Sequence, residues 1–206
     1  MAKTVIYLVR HGESLGNFRR TLLGHTDLDL SDLGFCQAEQ CAKALSHIKF
    51  DKIYSSDLKR ALSTAAPHAK LRNTPVIPSE NLREIYLGEW ENRTIDYVKE
   101  NYSELYEENW KKDFFNFTPP RGEAVPHLGE RIRAKLTEIA TSNPDNTILV
   151  TFHAAAIRSF WATIHTFMTD NPCLELPFPT NASYSIVEYE NGSFTPISYS
   201  VDGHIS

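Results

Sequence analysis

The chain has 206 residues, enough for one α/β domain with a sizeable buried core. Its hydrophobic fraction of 41% and charged fraction of 23% are ordinary for a globular protein, and no run approaches the roughly 18 apolar residues of a membrane span. A formal charge of −5 excludes a broad basic face for nucleic acid or for a membrane surface. A small anionic substrate remains compatible with it, because a local pocket can be basic on an acidic protein.

The N-terminus and the cysteines indicate a cytoplasmic protein. The sequence MAKTVIYLVRHGES contains a short apolar run that leads straight into polar residues, as expected for a buried strand and not for a signal peptide. Cys36, Cys41 and Cys173 form no CxxC pair, and we interpret them as free core thiols in a reducing compartment. A role in an interaction is the alternative.

Short runs rich in β-branched and aromatic residues predict the strands. Residues 4–9, 51–56 and 146–152 are each followed by polar residues and then by a helical pattern, which predicts buried parallel strands. A shorter strand is predicted at 75–79. The C-terminal runs SYSIVEY and SFTPISY flank the turn sequence Glu190-Asn191-Gly192, which predicts a hairpin or a pair of edge strands.

Helical spacing predicts four helices between these strands. The first is capped by Ser31, the second begins at Asp57, the third runs from Glu123 to about Thr141, and the fourth covers 154–167. The apolar face of the first helix is predicted from Leu33, Cys36 or Gln37, Cys41, Ala44 and Leu45, and that of the second from Leu58, Ala61, Leu62 and Ala65.

The segment 94–121 differs from the rest of the chain. It is rich in aromatic and charged residues and ends near Pro119-Pro120, which predicts one helix and an irregular loop, a lid-like insertion into the domain. The alternation of strands and helices elsewhere predicts a three-layer α/β/α sandwich with a mostly parallel sheet, formed by residues 1–206 as a single domain.

Candidate functional residues follow the predicted parallel strands. In open parallel sheets ligands bind at the carboxyl ends of the strands, where this chain places Arg10, His11, Arg60 and His153. A single histidine or arginine at such a position usually has a structural role, but two of each at one sheet edge indicate a site, with Gly12 allowing a close backbone approach. Two histidines could also bind a metal, but no HxH, HExxH or cysteine-rich pattern accompanies them, and we predict no metal site.

These residues lie in motifs that resemble the histidine phosphatase superfamily, which includes the cofactor-dependent phosphoglycerate mutases. LVRHGES at 8–14 resembles the family signature. Further matches follow in order over nearly the whole chain: Asn17, GHTDLDLSDLGFCQA, SSDLKRALSTA, LREIYLGEWEN, FHAAAIR and PTNASYSIVEY. The resemblance implies a phosphoglycerate mutase-like fold and a phosphomonoesterase that needs no metal and no cofactor.

The resemblance also implies the roles of the site residues. His11 would be the nucleophile that takes the phosphoryl group, and Arg10, Arg60 and His153 would surround the phosphate. Planar guanidinium groups suit the equatorial phosphoryl oxygens and supply electrostatic stabilisation that metals supply elsewhere. Glu84 matches the family's proton donor.

Further positions surround these groups. Glu89 and Glu91 are the other glutamates near Glu84, and Glu13, next to the nucleophile segment, is the alternative acid. The resemblance implies that Asn17, Gly24 and Ala154 bind substrate. The chain departs from the family at Ala154-Ala155, where Gly-Gly or Gly-Asn is common, and at Leu23-Gly24, where mutases have Thr-Gly; the first narrows the pocket floor and the second removes a hydroxyl.

We expect a hydrolase, with a mutase as the alternative and a catalytically inactive binding module as a more distant one. A mutase must retain a bisphosphate under a closed, basic lid. The insertion here offers Lys99, Lys111, Lys112 and Arg121 but no Arg-Arg pair, and it is rich in glutamate.

The expected partner is a small phosphorylated metabolite, with no nucleic acid and no membrane, and the chain is expected to be a monomer or a homodimer. The aromatic residues of the insertion could contact an apolar leaving group or could pack the insertion onto the core, and we favour packing. They are Tyr102, Tyr106, Trp110, Phe114, Phe115 and Phe117.

Overall fold

A computed structural model describes residues 3–205 of the chain. The strands are β1 (Thr4–Arg10), β2 (Thr21–Leu22), β3 (Lys52–Ser56), β4 (Val76–Ser79), β5 (Arg93–Thr94), β6 (Thr147–Phe152), β7 (Tyr184–Glu190) and β8 (Ser193–Val201). The α-helices are α1 (Leu15–Phe18), α2 (Asp32–Ala44), α3 (Lys59–Arg72), α4 (Ile95–Asn101), α5 (Val125–Thr141), α6 (Ala154–Ala162) and α7 (Pro172–Glu175). Shorter helical turns are Glu80–Leu82, Gly88–Trp90 and Phe114–Asn116, which are 3₁₀ helices, and Leu105–Lys111, a π-helix.

The main sheet within residues 3–205 has six strands in the order β4-β3-β6-β1-β7-β8. The first four are parallel to one another, whereas β7 is antiparallel to β1 and β8 is antiparallel to β7. This confirms the predicted α/β fold with a mostly parallel sheet and a C-terminal hairpin. Because β1 and β6 pair in register up to Arg10 and Phe152, their carboxyl ends lie side by side.

Alternate residues of the buried strands pack against helices on opposite faces of the sheet. On β6, Ile148, Val150 and Phe152 face the core formed with α5, α6 and the insertion, whereas Leu149 faces the smaller core formed with α2 and α3. The two faces of the sheet are both covered by helices, which explains why residues 148–152 of the run TILVTF are all buried.

The buried face of α2 matches the predicted one in part, since Gln37, Cys41 and Leu45 are buried as predicted. Ser31 caps the helix as predicted, its hydroxyl accepting a hydrogen bond from the Gly34 amide at 3.1 Å. Leu33 is 47% exposed and Cys36 is exposed, whereas the buried face carries mainly small residues. The reason is close packing on the loop after β1, because a Cβ on Gly34 would lie 1.9 Å from the Glu13 carbonyl oxygen.

Further predictions were wrong in detail. The second helix begins at Lys59, because the Asp57 carboxylate is held by Arg83 at 2.8 Å and lies before the helix. The helix predicted over 154–167 ends at Ala162. The loop that follows is stabilised by the Glu175 carboxylate, which accepts hydrogen bonds from the main-chain amides of residues 168 and 169. Of the cysteines only Cys41 is a core thiol, since Cys36 is exposed and Cys173 is half-buried.

The segment predicted as one helix and an irregular loop contains three helical pieces. Helix α4 is capped by Thr94, the π-helix follows it, and a 3₁₀ turn precedes the proline pair. Its first residues are tied to the body of the protein, because β5 pairs with β2. Trp90, which is fully buried, packs against Tyr102, Tyr106, Trp110 and Phe117.

Candidate active site

A cavity of about 280 Å³ lies at the carboxyl ends of β1 and β6. Its lining includes most of the residues that the sequence singled out, from segments far apart in the chain. They are Arg10, His11, Asn17, Gly24, Arg60, Glu84 and Ala154. His153 does not line the cavity but lies directly behind His11, with 5.3 Å between the ring centroids.

His11 is held in one tautomer by the loop after β1. Its Nδ1 atom lies 2.7 Å from the Gly12 carbonyl oxygen, which can only accept, so Nδ1 carries the proton and Nε2 has a free lone pair. The side chain is 5% exposed, and burial together with the charges of Arg60 and Arg10 holds its pKa well below the usual range. The imidazole is therefore neutral near pH 7.

Two guanidinium groups flank the imidazole. Arg60 is almost fully buried and donates to the carbonyl oxygens of Gly24 and Thr26 at 2.8 and 2.9 Å. Arg10 donates to the Pro179 carbonyl at 2.5 Å, while its buried Nε has no hydrogen-bond partner among residues 3–205. Burial lowers the pKa of Arg10 to about 10 and also lowers that of Arg60, and the nearby Glu84 charge partly offsets both effects. Both groups remain charged at neutral pH.

His153 is fully buried at the start of α6. Its Nε2 atom lies 2.8 Å from the hydroxyl of Ser56, at the end of β3. Burial and the nearby charge of Arg60 hold its pKa well below the usual range. Its Nδ1, like Arg10 Nε, is buried without a hydrogen-bond partner in the described part of the chain.

The Glu84 carboxylate is fixed at the first turn of α6. One oxygen accepts from the amides of Ile85 and Ala156 at 3.0 and 2.9 Å, and the other accepts from Ala155 at 3.1 Å. These main-chain amides fix the orientation of the group. Ala154-Ala155 thus keeps the main-chain donors expected of this position, although the Ala155 amide is directed to Glu84.

The main chain of Glu84 is also held from outside the cavity. Its carbonyl oxygen accepts hydrogen bonds from His25 Nε2 at 2.9 Å and from Arg131 at 3.3 Å. Arg131 also donates to the carbonyls of Asn81 and Arg83, and two of its nitrogens bind the Glu123 carboxylate at 2.7 and 2.8 Å. Sequence reasoning did not identify this clamp, because its members are distant in the chain and belong to no shared motif.

Asn17 and Gly24 occupy different parts of the cavity wall. The Asn17 amide oxygen accepts hydrogen bonds from Ser14 and from Asn181 Nδ2, which leaves its amide nitrogen for a ligand. Asn181 also donates to the His11 carbonyl, a role that the sequence left unassigned. Gly24 has φ of +51°, and a Cβ there would lie 2.3 Å from the Glu91 carboxylate, so the position requires glycine.

Three acids considered in the sequence lie away from the cavity lining. Glu13 accepts a hydrogen bond from the Ser31 hydroxyl at 2.5 Å and so supports α2. Glu91 accepts from the His25 amide at 2.6 Å. Glu89 binds the Tyr102 hydroxyl and Arg121. Glu84 alone of these four glutamates lines the cavity.

The far wall of the cavity is apolar. Of the six aromatic residues named in the insertion, Trp110 lines the cavity, while the others pack against the core as favoured from the sequence. Phe178 stacks on Trp110 with 5.8 Å between ring centroids and completes this wall. Phe178 lies in a loop just before the PTNASYSIVEY segment, and no pattern in the sequence marked it as a site residue.

Residues 3–205 contain no cluster of three or more His, Cys, Asp or Glu side chains arranged to hold a metal ion. No helix in the same range has the length and apolar character needed to span a membrane.

The chain is similar in sequence to a known protein family and to individual proteins. The sequence model of the histidine phosphatase superfamily (branch 1) matches residues 6–202. A probable phosphoglycerate mutase, GpmB of Yersinia pestis, is 32% identical over 163 residues, which are 77% of this chain and 74% of that protein.

Solved structures resemble the fold closely. Bacillus stearothermophilus YhfR has a TM-score of 0.89 at 28% identity, over 98% of this chain and 100% of that one. A mycobacterial glucosyl-3-phosphoglycerate phosphatase in complex with VO3 has a TM-score of 0.87 at 25% identity, over 98% and 100% of the two chains.

Proposed function

Because the chain belongs to the histidine phosphatase superfamily (branch 1), we propose that it is a metal-independent phosphomonoesterase that works through a phosphohistidine on His11. One observation carries the proposal above all others. His11 is neutral, its Nδ1 proton is engaged by the Gly12 carbonyl, and its Nε2 lone pair is therefore available beside two guanidinium groups. The substrate is a small phosphorylated metabolite.

The proposed reaction has two steps with matched proton transfers. In the first, His11 Nε2 forms a bond to phosphorus while the ester P–O bond breaks, and Glu84 gives its proton to the departing oxygen. In the second, water attacks phosphorus, Glu84 takes a proton from it, and the P–N bond breaks to release phosphate. Arg10, Arg60 and His153 stabilise the charge on the equatorial oxygens in both steps.

A phosphoglycerate mutase activity is the second candidate, and the name of the Yersinia pestis relative favours it. A phosphoglycerate bears a carboxylate in addition to its phosphate, and that group requires a cation. Among the described residues, the arginines that line the cavity are Arg10 and Arg60, and both flank His11. Hydrolysis is therefore the better-supported activity.

A catalytically inactive binding module on the same fold is the remaining alternative. Nothing in the chain favours it, because Arg10, His11, Arg60, Glu84 and His153 are all present. It differs from both enzymes in forming no covalent intermediate.

Rapid acid-free quenching of the full chain mixed with a radiolabelled aryl phosphate, in excess EDTA, tests the proposal. We expect a phosphohistidine that maps to His11, and no labelled protein with His11→Ala. Steady release of phosphate with no incorporation in the quench would contradict the covalent route, and loss of turnover in EDTA that a divalent ion restores would contradict metal independence. Conversion of 3-phosphoglycerate in the presence of 2,3-bisphosphoglycerate, faster than phosphate release, would favour the mutase.

A further inference from the structure

We infer that the substrate is the monophosphate ester of a neutral, apolar alcohol or phenol whose bulk in the cavity is about that of one ring. This inference rests on the proposed phosphomonoesterase function and concerns the part of the substrate that leaves. It is drawn from the apolar part of the cavity lining, from the pairing of nearby charged side chains, and from the size of the cavity.

The cavity has two chemically different ends. The charged side chains that line it, Arg10, Arg60 and Glu84, belong to the end around His11. Neutral polar side chains contribute little beyond this end, since the Thr21 hydroxyl is directed to the Arg19 carbonyl. The remaining wall is built mainly from Leu22, Ile85, Leu87, Ile95, Trp110 and Phe178. A leaving group there would contact aliphatic and aromatic surface.

The cations of the insertion are engaged outside the cavity. Lys111 and Lys112 pair with Glu107 and Glu108 at 2.6 and 2.7 Å, one helical turn apart, and Arg121 pairs with Glu89 at 3.2 Å. Lys99 lies over the Tyr106 ring, 5.6 Å from its centroid. None of the four lines the cavity, so the insertion presents no cation to a carboxylate or a second phosphate.

One buried cation fixes the aromatic wall from behind. Arg158 is 3% exposed, its guanidinium carbon lies 4.3 Å from the Phe178 ring centroid and 4.4 Å from that of Phe114, and it does not line the cavity. It donates to the Leu176 carbonyl at 2.6 Å, just before Phe178. Cation–π contacts and this hydrogen bond hold Phe178 in place before any ligand binds, which favours rigid apolar contacts.

The volume limits how much of the leaving group the cavity can enclose. A cavity of about 150 Å³ suffices for benzene, so about 280 Å³ accommodates a phosphoryl group and one ring or a short branched chain. A carboxylate or a polyol placed against this wall would lose hydration without gaining a partner. The wall therefore selects against charged and strongly polar leaving groups.

A matched pair of substrates tests this inference on the unaltered full chain. Benzyl phosphate and its para-carboxylate differ by a charge far from the ester oxygen, so their leaving groups have similar acidity. We expect kcat/KM for benzyl phosphate to exceed that for the carboxylate by about tenfold or more, because the buried carboxylate has no partner. Equal values, or a preference for the carboxylate, would overturn the inference while leaving the phosphatase function intact. Hydrolysis of neither ester, nor of an aryl phosphate, would overturn the proposed function itself.

A gain-of-charge variant tests the wall directly. Leu22→Lys places an ammonium at the apolar end, and we expect the preference for benzyl phosphate over its carboxylate to fall by about tenfold. Leu22→Met keeps a long side chain without the charge and is the matched control, in which the preference should persist. If Leu22→Lys folds poorly, Ile95→Lys introduces the same charge at a second position of the cavity lining. A preference unchanged in a folded lysine variant would show that this wall does not meet the leaving group.

Discussion

The Arg131 guanidinium donates a hydrogen bond to the Glu84 main-chain carbonyl at 3.3 Å, from the side of the peptide opposite the cavity. Arg131 is itself held by the Glu123 carboxylate. If Glu84 is the proton donor, loosening this clamp misplaces the acid, and a displacement of about 1 Å can cost on the order of 10²-fold. We therefore expect Arg131→Lys to lower kcat/KM about 10- to 100-fold on an alkyl phosphate and much less on an activated aryl phosphate.

The neighbouring arginine provides the control for this prediction. Arg133 lies on the same helix and is exposed, so Arg133→Lys should leave the ratio of alkyl to aryl activity at its original value. A merely destabilised protein would lose both activities in proportion. If Arg131→Lys lowered kcat/KM equally on both substrates, Arg131 would contribute only to the stability of the protein.

Replacing the proposed acid itself should separate substrates by their leaving groups. Glu84→Gln is expected to lower the phosphorylation rate roughly 10²–10⁴-fold on an alkyl phosphate, because no proton reaches the alkoxide. An activated aryl phosphate needs no such proton, and its single-turnover rate should fall far less. Because both Glu84 oxygens accept main-chain hydrogen bonds, the glutamine nitrogen would face an amide donor, and we expect a loss of stability of about 1–3 kcal/mol as well.

Glu89→Gln is the control for that substitution, since Glu89 is exposed and binds Tyr102 and Arg121 outside the cavity. It should leave both single-turnover rates within about twofold. Equal losses on alkyl and aryl phosphates with Glu84→Gln would remove Glu84 from the role of proton donor.

Much of the fold could be predicted because its signals are local. Residues 4–9 and 148–152 are apolar or buried throughout, since β1 and β6 have helices on both faces, and such runs indicate inner parallel strands. The convergence of His11 and His153 followed from the same rule, because parallel strands end at one edge of the sheet.

The rest depended on contacts between distant residues. Leu33 was wrongly placed on the buried face of α2, because packing at the start of this helix is set by a close approach of Gly34 to the loop after β1, and not by the largest apolar side chains. Phe178 contacts the site from a loop and Arg131 from helix α5, and no local pattern marks such contacts. The apolar wall could not have been predicted from composition, because most insertion aromatics pack inward and Trp110 alone lines the cavity.

A histidine far from the site should make the protein sensitive to acid. His68 is fully buried, neither ring nitrogen has a partner among residues 3–205, and burial with the nearby Arg72 lowers its pKa to about 3. The unfolded chain, with a histidine pKa of about 6.5, therefore binds more protons than the folded chain between these values. Stability is fully present above about pH 6.5 and falls as the pH drops towards 3.

We expect His68 alone to remove about 2 kcal/mol of unfolding free energy between pH 7.5 and pH 5. His68→Leu should reduce the pH dependence by that amount without lowering stability at pH 7.5, as measured by urea denaturation at both values. His127→Leu, at an exposed position, is the control and should retain the original dependence. An unchanged difference between the two pH values in His68→Leu would contradict the assignment of a depressed pKa to His68.

Replacing His11 and replacing His153 should affect phosphoenzyme formation in different ways. His153→Ala is expected to lower the phosphorylation rate roughly 10²–10³-fold, the loss associated with one preorganised donor in a transition state. A phosphoenzyme should nevertheless form slowly and map to His11, because Nε2 of His11 remains neutral and available. Rapid-quench labelling followed by peptide mapping measures both the rate and the position of the label.

Ser56→Ala tests whether the orientation of the His153 ring affects the phosphorylation rate. The Ser56 hydroxyl is the hydrogen-bond partner of His153 Nε2, and its loss frees the ring to rotate while leaving an imidazole in place. If His153 acts by presenting Nδ1 to the phosphoryl group, Ser56→Ala should slow phosphorylation by about tenfold, between wild type and His153→Ala. Label on His153 in the wild type would instead reverse the two roles, and a normal rate in a folded His153→Ala variant would remove His153 from the reaction.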